Sequence, residues 1–103
     1  MKISYIQVFS EAENDLEDGR EFYENQGENL GHYFWDSLLS DIESLAIYAG
    51  IHKKEFGFYR MFSKRFPYAL YYDVSGDVAS VVAVLPIRRN PVWIESKMGD
   101  REM

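Results

Sequence analysis

The sequence predicts an α+β fold: an N-terminal strand, an α-helical hairpin, a three-stranded antiparallel meander and a short C-terminal helical turn. Three observations carry this. Apolar residues recur every three or four positions through residues 11–49, the period of an amphipathic helix. The period then drops to two through residues 57–85, with turn residues at short intervals. Gly27, followed closely by a second helical pattern, leaves so short a link that the two helices must pack antiparallel. At 103 residues the chain has room for one domain, expected to span residues 1–103.

Residues 3–9 (ISYIQVF) are rich in β-branched and aromatic side chains and read as a short strand. Ser10 with Glu13 has the form of a capping box, opening a helix over residues 11–25. Ala12, Leu16, Gly19, Phe22, Tyr23 and Gln26 share one stripe of that helix, and Gly27 ends it as a glycine beyond the last turn. A second helix is expected over residues 28–49, with Leu30, Phe34, Leu38, Ile42, Leu45 and Ala49 on its buried side and Gly50 as its stop. Tyr33 and Trp35 stand near its polar side.

Residues 57–63 (GFYRMFS) alternate, with Phe58, Arg60 and Phe62 on one face. Residues 67–73 (PYALYYD) form the next strand, and Ser75-Gly76-Asp77 supplies a turn. Residues 78–85 (VASVVAVL) are apolar on both faces, as in a strand buried on both sides. Pro86 ends it, an Arg- and Pro-rich loop follows, residues 92–97 suit a last helical turn, and residues 99–103 are expected to fray.

Composition excludes several classes of function. There is no cysteine, which removes disulfides, thiolate nucleophiles and cysteine-based metal centres, and fits a cytoplasmic protein. His32 and His52 stand twenty residues apart with no ligand spacing around them, so neither a metal nor a cofactor is expected. Residues 2–5 carry no apolar run of a signal peptide, and nothing approaches the ~18 apolar residues of a membrane span, so no membrane partner is expected. Glu17, Glu21, Glu24 and Glu28 repeat at three or four residues, the pattern of a solvated helix face.

Charge is unevenly spread. The chain carries a net −6, yet residues 1–50 hold eleven acids against two bases, and residues 51–103 hold nine bases against six acids. Such a dipolar surface suits an anionic partner on the basic face. Arg60, mid-strand, and Arg88 and Arg89, after the last strand, are the candidate phosphate or target contacts, because a guanidinium grips oxyanions bidentately and can stabilise developing charge. Lys53, Lys54, Lys64, Arg65, Tyr59, Phe62 and Trp93 are the candidate partner-binding residues around them.

Several stretches resemble the RelE/ParE superfamily of toxins from bacterial type II toxin–antitoxin systems, the plasmid-stabilisation type. They are Phe22-Tyr23-Glu24, Leu30-Gly31 with Phe34, Gly57-x-Tyr59-Arg60, Arg65-Phe66-Pro67-Tyr68-Ala69-Leu70-Tyr71-Tyr72, and Val82-x-Val84-Leu85-x-x-Arg88-Arg89-x-Pro91. The resemblance runs from about Ile3 to Pro91 and implies the same hairpin-on-sheet fold. It also implies a cognate antitoxin as partner, with DNA contacted only through that antitoxin. Its ParE-like branch implies action on DNA gyrase without a catalytic set. Its RelE-like branch implies a metal-free endoribonuclease cutting mRNA on the ribosome through Arg60, Arg88 and Arg89. A non-toxic homologue that keeps the fold as an antitoxin-binding module is the third reading. Similar sequences often carry His where this chain has Pro86, and Asp where it has Asn90, and no Tyr or His follows Pro91. General acid–base help is typically worth ~10²–10⁴-fold, so these departures point away from RNA cleavage.

Overall fold

The computed structural model describes residues 2–101. Its elements run β1 (Tyr5–Val8), α1 (Ser10–Glu24), α2 (Leu30–Glu43), α3 (Leu45–Tyr48), β2 (Lys54–Glu55), β3 (Phe58–Phe62), β4 (Tyr68–Ser75), β5 (Val78–Pro86) and α4 (Pro91–Gly99). The strands form one five-stranded sheet in the order β1-β5-β4-β3-β2. The meander β3-β4-β5 is antiparallel, as its short turns require, while β1 lies parallel to β5 with Tyr5 opposite Val78 and Val8 opposite Val81.

The α1–α2 hairpin covers one face of the sheet. Period-two alternation along β4 sends Tyr68, Leu70 and Tyr72 toward the helices, where they meet Leu16, Phe34, Leu38, Ile42 and Leu45 in the larger core. Ala69 and Tyr71 point the other way and join Phe58, Val82, Ala83, Leu85 and Met98 beneath α4. Val82 is skipped in the β4–β5 register between Tyr71↔Ala83 and Tyr72↔Val81. This bulge turns Val82 and Ala83 to the same face, which a regular strand could not do.

Two glycines let the hairpin close. A Cβ on Gly19 would collide with the Phe34 ring, and one on Gly31 would stand 2.6 Å from the Arg20 carbonyl oxygen. Gly31 also donates its N–H to Glu24 Oε1 at 2.9 Å, and Asn29 donates to Glu24 Oε2 at 3.3 Å. Glu24, though exposed, therefore also satisfies two free amides at the start of α2.

Several expectations are corrected. Ser10 is the first residue of α1 and not its cap; Phe9 holds that place and no side chain caps the end, because β1 runs into the helix one residue earlier than the capping box implied. Gly27 is not the left-handed residue of the hairpin turn; Asn29 is, with φ 67°, and α2 begins at Leu30 and not at 28. The second helix breaks at Ser44, whose hydroxyl donates to the Asp41 carbonyl at 2.6 Å, a side-chain bond that competes with the helix ladder. The chain does not fray past 99 as far as it is described: Met98 is buried, and Arg101 is tied to Asp15. Glu102 and Met103 lie outside the described residues. A two-residue strand, β2, was not anticipated.

Asp41 on α2 is buried, and its carboxylate takes the Ser63 hydroxyl at 2.6 Å. Ser63→Ala strips that donor from a buried acceptor and is expected to cost about 1–3 kcal/mol in urea unfolding, whereas Ser75→Ala, at the exposed end of β4, should leave the midpoint unchanged.

Candidate functional site

Beyond Val8 the β1 strand ends, but β5 continues to Pro86. The uncovered half of β5 becomes the floor of a cleft of about 390 Å³ between α1 and α4, within the size range of ligand sites. Asp15, Asp18, Phe22 and Tyr23 line it from α1, Tyr68 and Val84 to Pro86 from the sheet, and Arg88, Arg89, Trp93 and Lys97 from the loop and α4. One wall is acidic and aromatic, the other basic and aromatic.

The basic wall is organised by Trp93. The Arg89 guanidinium lies 4.2 Å from its ring centroid and the Lys97 ammonium 5.5 Å from it. Both contacts favour a cation over a π face and leave the charged heads at the cleft mouth. Asn90 and Pro91 start α4: the Asn90 side chain accepts Val92 N–H at 2.8 Å, and Pro91 stands where no N–H is needed. This start fixes Trp93 one turn beyond Arg89.

On the opposite wall, burial pushes the Tyr23 hydroxyl pKa up, partly offset by the positive charge of Arg88. Tyr68, deeper, is pushed up to about 12 by burial, with Tyr23 and the two α1 aspartates adding to it. Both phenols therefore stay protonated at neutral pH and act as hydrogen-bond groups. The aromatic wall continues out of the cleft: Tyr23 packs on Phe66 at 4.8 Å between centroids, and Phe66 on Tyr33 at 5.3 Å.

Arg88, Arg89 and Trp93 thus share one cleft. Lys64 and Arg65 sit on the β3–β4 turn, which joins the Arg88 loop through Ile87 N–H to the Pro67 carbonyl at 2.9 Å. Arg60 is not among the cleft residues. It stands on the outer face of β3, its guanidinium 4.8 Å from the Phe62 ring and 3.8 Å from the Glu55 carboxylate. Lys53 and Lys54 lie at the β2 edge, where Lys54 covers the Tyr59 ring at 4.9 Å. Tyr59 faces the hairpin side, stacked on Tyr72. The singled-out residues therefore fall into two groups, one at the cleft and one around β2 and β3.

His52 belongs to neither. Its Nδ1 lies 2.5 Å from the Tyr72 hydroxyl, which also accepts Gly50 N–H at 2.9 Å. The hydroxyl thus sits between the Gly50 amide and the His52 ring in a partly buried corner. Burial lowers the His52 pKa from its ordinary 6.5. The folded value is below the unfolded one, so the stabilisation is complete above pH 6.5 and is lost as pH falls through the folded value. The urea midpoint is expected to drop between about pH 7.5 and about pH 5, and to drop less in His52→Gln.

The acidic side of the cleft was missed. The signal was present: Asp15 falls three residues after Ala12 and four before Gly19, an acid bordering a buried stripe. The role of Lys97 needed α4 to be known as a full helix. Among the described residues no group of three or more His, Asp or Glu side chains is placed to hold a metal ion. Nor is any helix there long and apolar enough to cross a membrane.

No family model matches this chain, and no curated protein does. Seven chains of solved structures match. One of them, from a structure described as the chromosomal ParDE TA system from P. aeruginosa, aligns with a TM-score of 0.73 at 15% identity, over 84% of this chain and 97% of that one. The fold is ParE-like. The architecture implied by the RelE/ParE resemblance is therefore present, at an identity that speaks for the fold alone. In this ParE-like frame the cleft sits at the end of the sheet where β1 gives out, with the basic loop at its mouth.

Proposed function

We propose that the protein is the toxin component of a type II toxin–antitoxin module, ParE-like, that acts on a cellular target such as DNA gyrase and is neutralised by a cognate antitoxin. The ParE-like fold, shared with a chain of a ParDE system at a TM-score of 0.73, is the observation that carries this reading. The cleft supports it. Arg88, Arg89 and Lys97 present three cations beside exposed Phe22 and half-buried Trp93, a surface suited to an acidic protein segment with an apolar anchor. Lys64 and Arg65 extend the basic rim. Partner recognition needs no proton-transfer group, and the cleft floor carries Pro86 at the position where similar sequences often have His.

Induced expression without a partner is expected to arrest growth, and the purified protein to inhibit gyrase supercoiling. Arg88→Ala with Arg89→Ala should abolish both while leaving the thermal midpoint in place, since both residues are exposed. Codon-phased cuts in a translating extract would instead establish the mRNA interferase. Absence of growth arrest would establish a non-toxic binding module.

A further inference from the structure

Asp15 lines the cleft, yet its charge is not free to act there. Its Oδ2 accepts Val84 N–H at 2.9 Å and Arg101 Nη1 at 2.6 Å, and its Oδ1 accepts Arg101 Nη2 at 2.9 Å. Arg101 Nη1 also donates to the Val82 carbonyl at 3.2 Å, and its Nε lies 3.2 Å from exposed Glu11. The Arg101 and Asp15 side chains are 8% and 10% exposed. Arg101 is not among the cleft residues; it grips Asp15 from behind. The Asp15 hydrogen bond raises the Arg101 pKa despite its burial, so the guanidinium keeps its charge against the Asp15 carboxylate.

That pairing decides the sign of the cleft. With Asp15 neutralised, Arg88, Arg89 and Lys97 face Asp18 alone. We propose that Arg101 is a specificity-determining residue: by masking Asp15 it makes the cleft a receptor for a carboxylate carried on a flat apolar body, the chemistry of an acidic peptide segment with an aromatic anchor. This rests on reading the cleft as the docking site of an acidic partner. Stripped of Arg101, the α1 wall of the cleft would present a bare carboxylate to that same group. One added like charge at ~6 Å in a partly screened site changes affinity by about tenfold.

The probes are 2-naphthoate and its cationic counterpart 2-naphthylmethylammonium, titrated against the full chain and followed by the Trp93 indole resonance. Wild type is expected to prefer the naphthoate. Arg101→Gln should weaken naphthoate about tenfold and strengthen the ammonium, while Arg101→Lys, which keeps the charge without the fork, should retain the naphthoate preference. The deciding variant is Asp15→Asn/Arg101→Gln, which lacks the ion pair and the unmasked charge alike. It should bind naphthoate within about twofold of wild type. If this double variant stays as weak as Arg101→Gln, the ion pair acts by holding the cleft walls and the masking role falls. Unchanged selectivity in Arg101→Gln overturns it also. If wild type binds no naphthoate at Trp93, the docking reading falls with it.

Discussion

Gly31→Ala is expected to destabilise the protein by on the order of 3 kcal/mol, the upper part of the range for overpacking. The added methyl would stand 2.6 Å from the Arg20 carbonyl oxygen and 2.9 Å from both Cβ and Oε1 of Glu24. The first of these is backbone in the body of α1 and cannot swing aside, so the helices must separate. Separation also pulls Glu24 from the Gly31 and Asn29 amides, and loss of a cap of this kind typically adds ~1 kcal/mol. For a domain of this size each kcal/mol moves the thermal midpoint by ~4–8 °C, so the variant should melt well below wild type. Gly99→Ala is the control. Nothing lies within 4 Å of a Cβ built there. That substitution should be neutral or gain a few tenths of a kcal/mol, because alanine restricts the unfolded chain more than glycine does. Equal effects from the two substitutions would show that the hairpin does not depend on its close approach.

Asp15→Ala should cost about 3–5 kcal/mol, the range for breaking one partner out of a buried ion pair. It would leave the Arg101 guanidinium, 8% exposed, with only the Val82 carbonyl and Glu11, and would free Val84 N–H on the edge of β5 that β1 no longer covers. The neutral double variant Asp15→Asn/Arg101→Gln removes both charges together and should lose less than Asp15→Ala. Urea midpoints would rank the two variants. Hydrogen exchange should show α4 opening first in Asp15→Ala, because Arg101 is what fastens its far end to α1.

Local patterns were legible because they need only neighbours. The stripe through Ala12, Leu16 and Gly19, the alternation along β4 and the two-sided apolar run of β5 were all readable, and each element lies within a few residues of its expected place. What stayed hidden depended on distant partners. Strand β2 is defined only by Lys54↔Tyr59 and Glu55↔Phe58, with no pattern of its own. The last residues looked free to fray because nothing near Arg101 in sequence reveals Asp15. At the cleft, Arg88, Arg89 and Trp93 were visible as a cationic and aromatic run after a strand. Their facing wall was not, since Asp15 and Asp18 looked like two more acids on a solvated helix. Arg60 shares their residue type but stands on β3, two strands from β5, and no periodicity conveys that spacing.

The pairing of β1 with β5 has a bearing on how the molecule comes into being. Gln7 must wait for Ser80, 73 residues later, and Asp15 for Arg101, 86 residues later. Contacts so far apart make for slow folding. During synthesis the helical hairpin emerges long before the sheet it rests on, and the wall of the cleft built from Arg88, Arg89, Trp93 and Lys97 emerges later still. The cleft is consequently among the last features to form, because its basic wall and the tie from Arg101 to Asp15 both come from residues that follow β5.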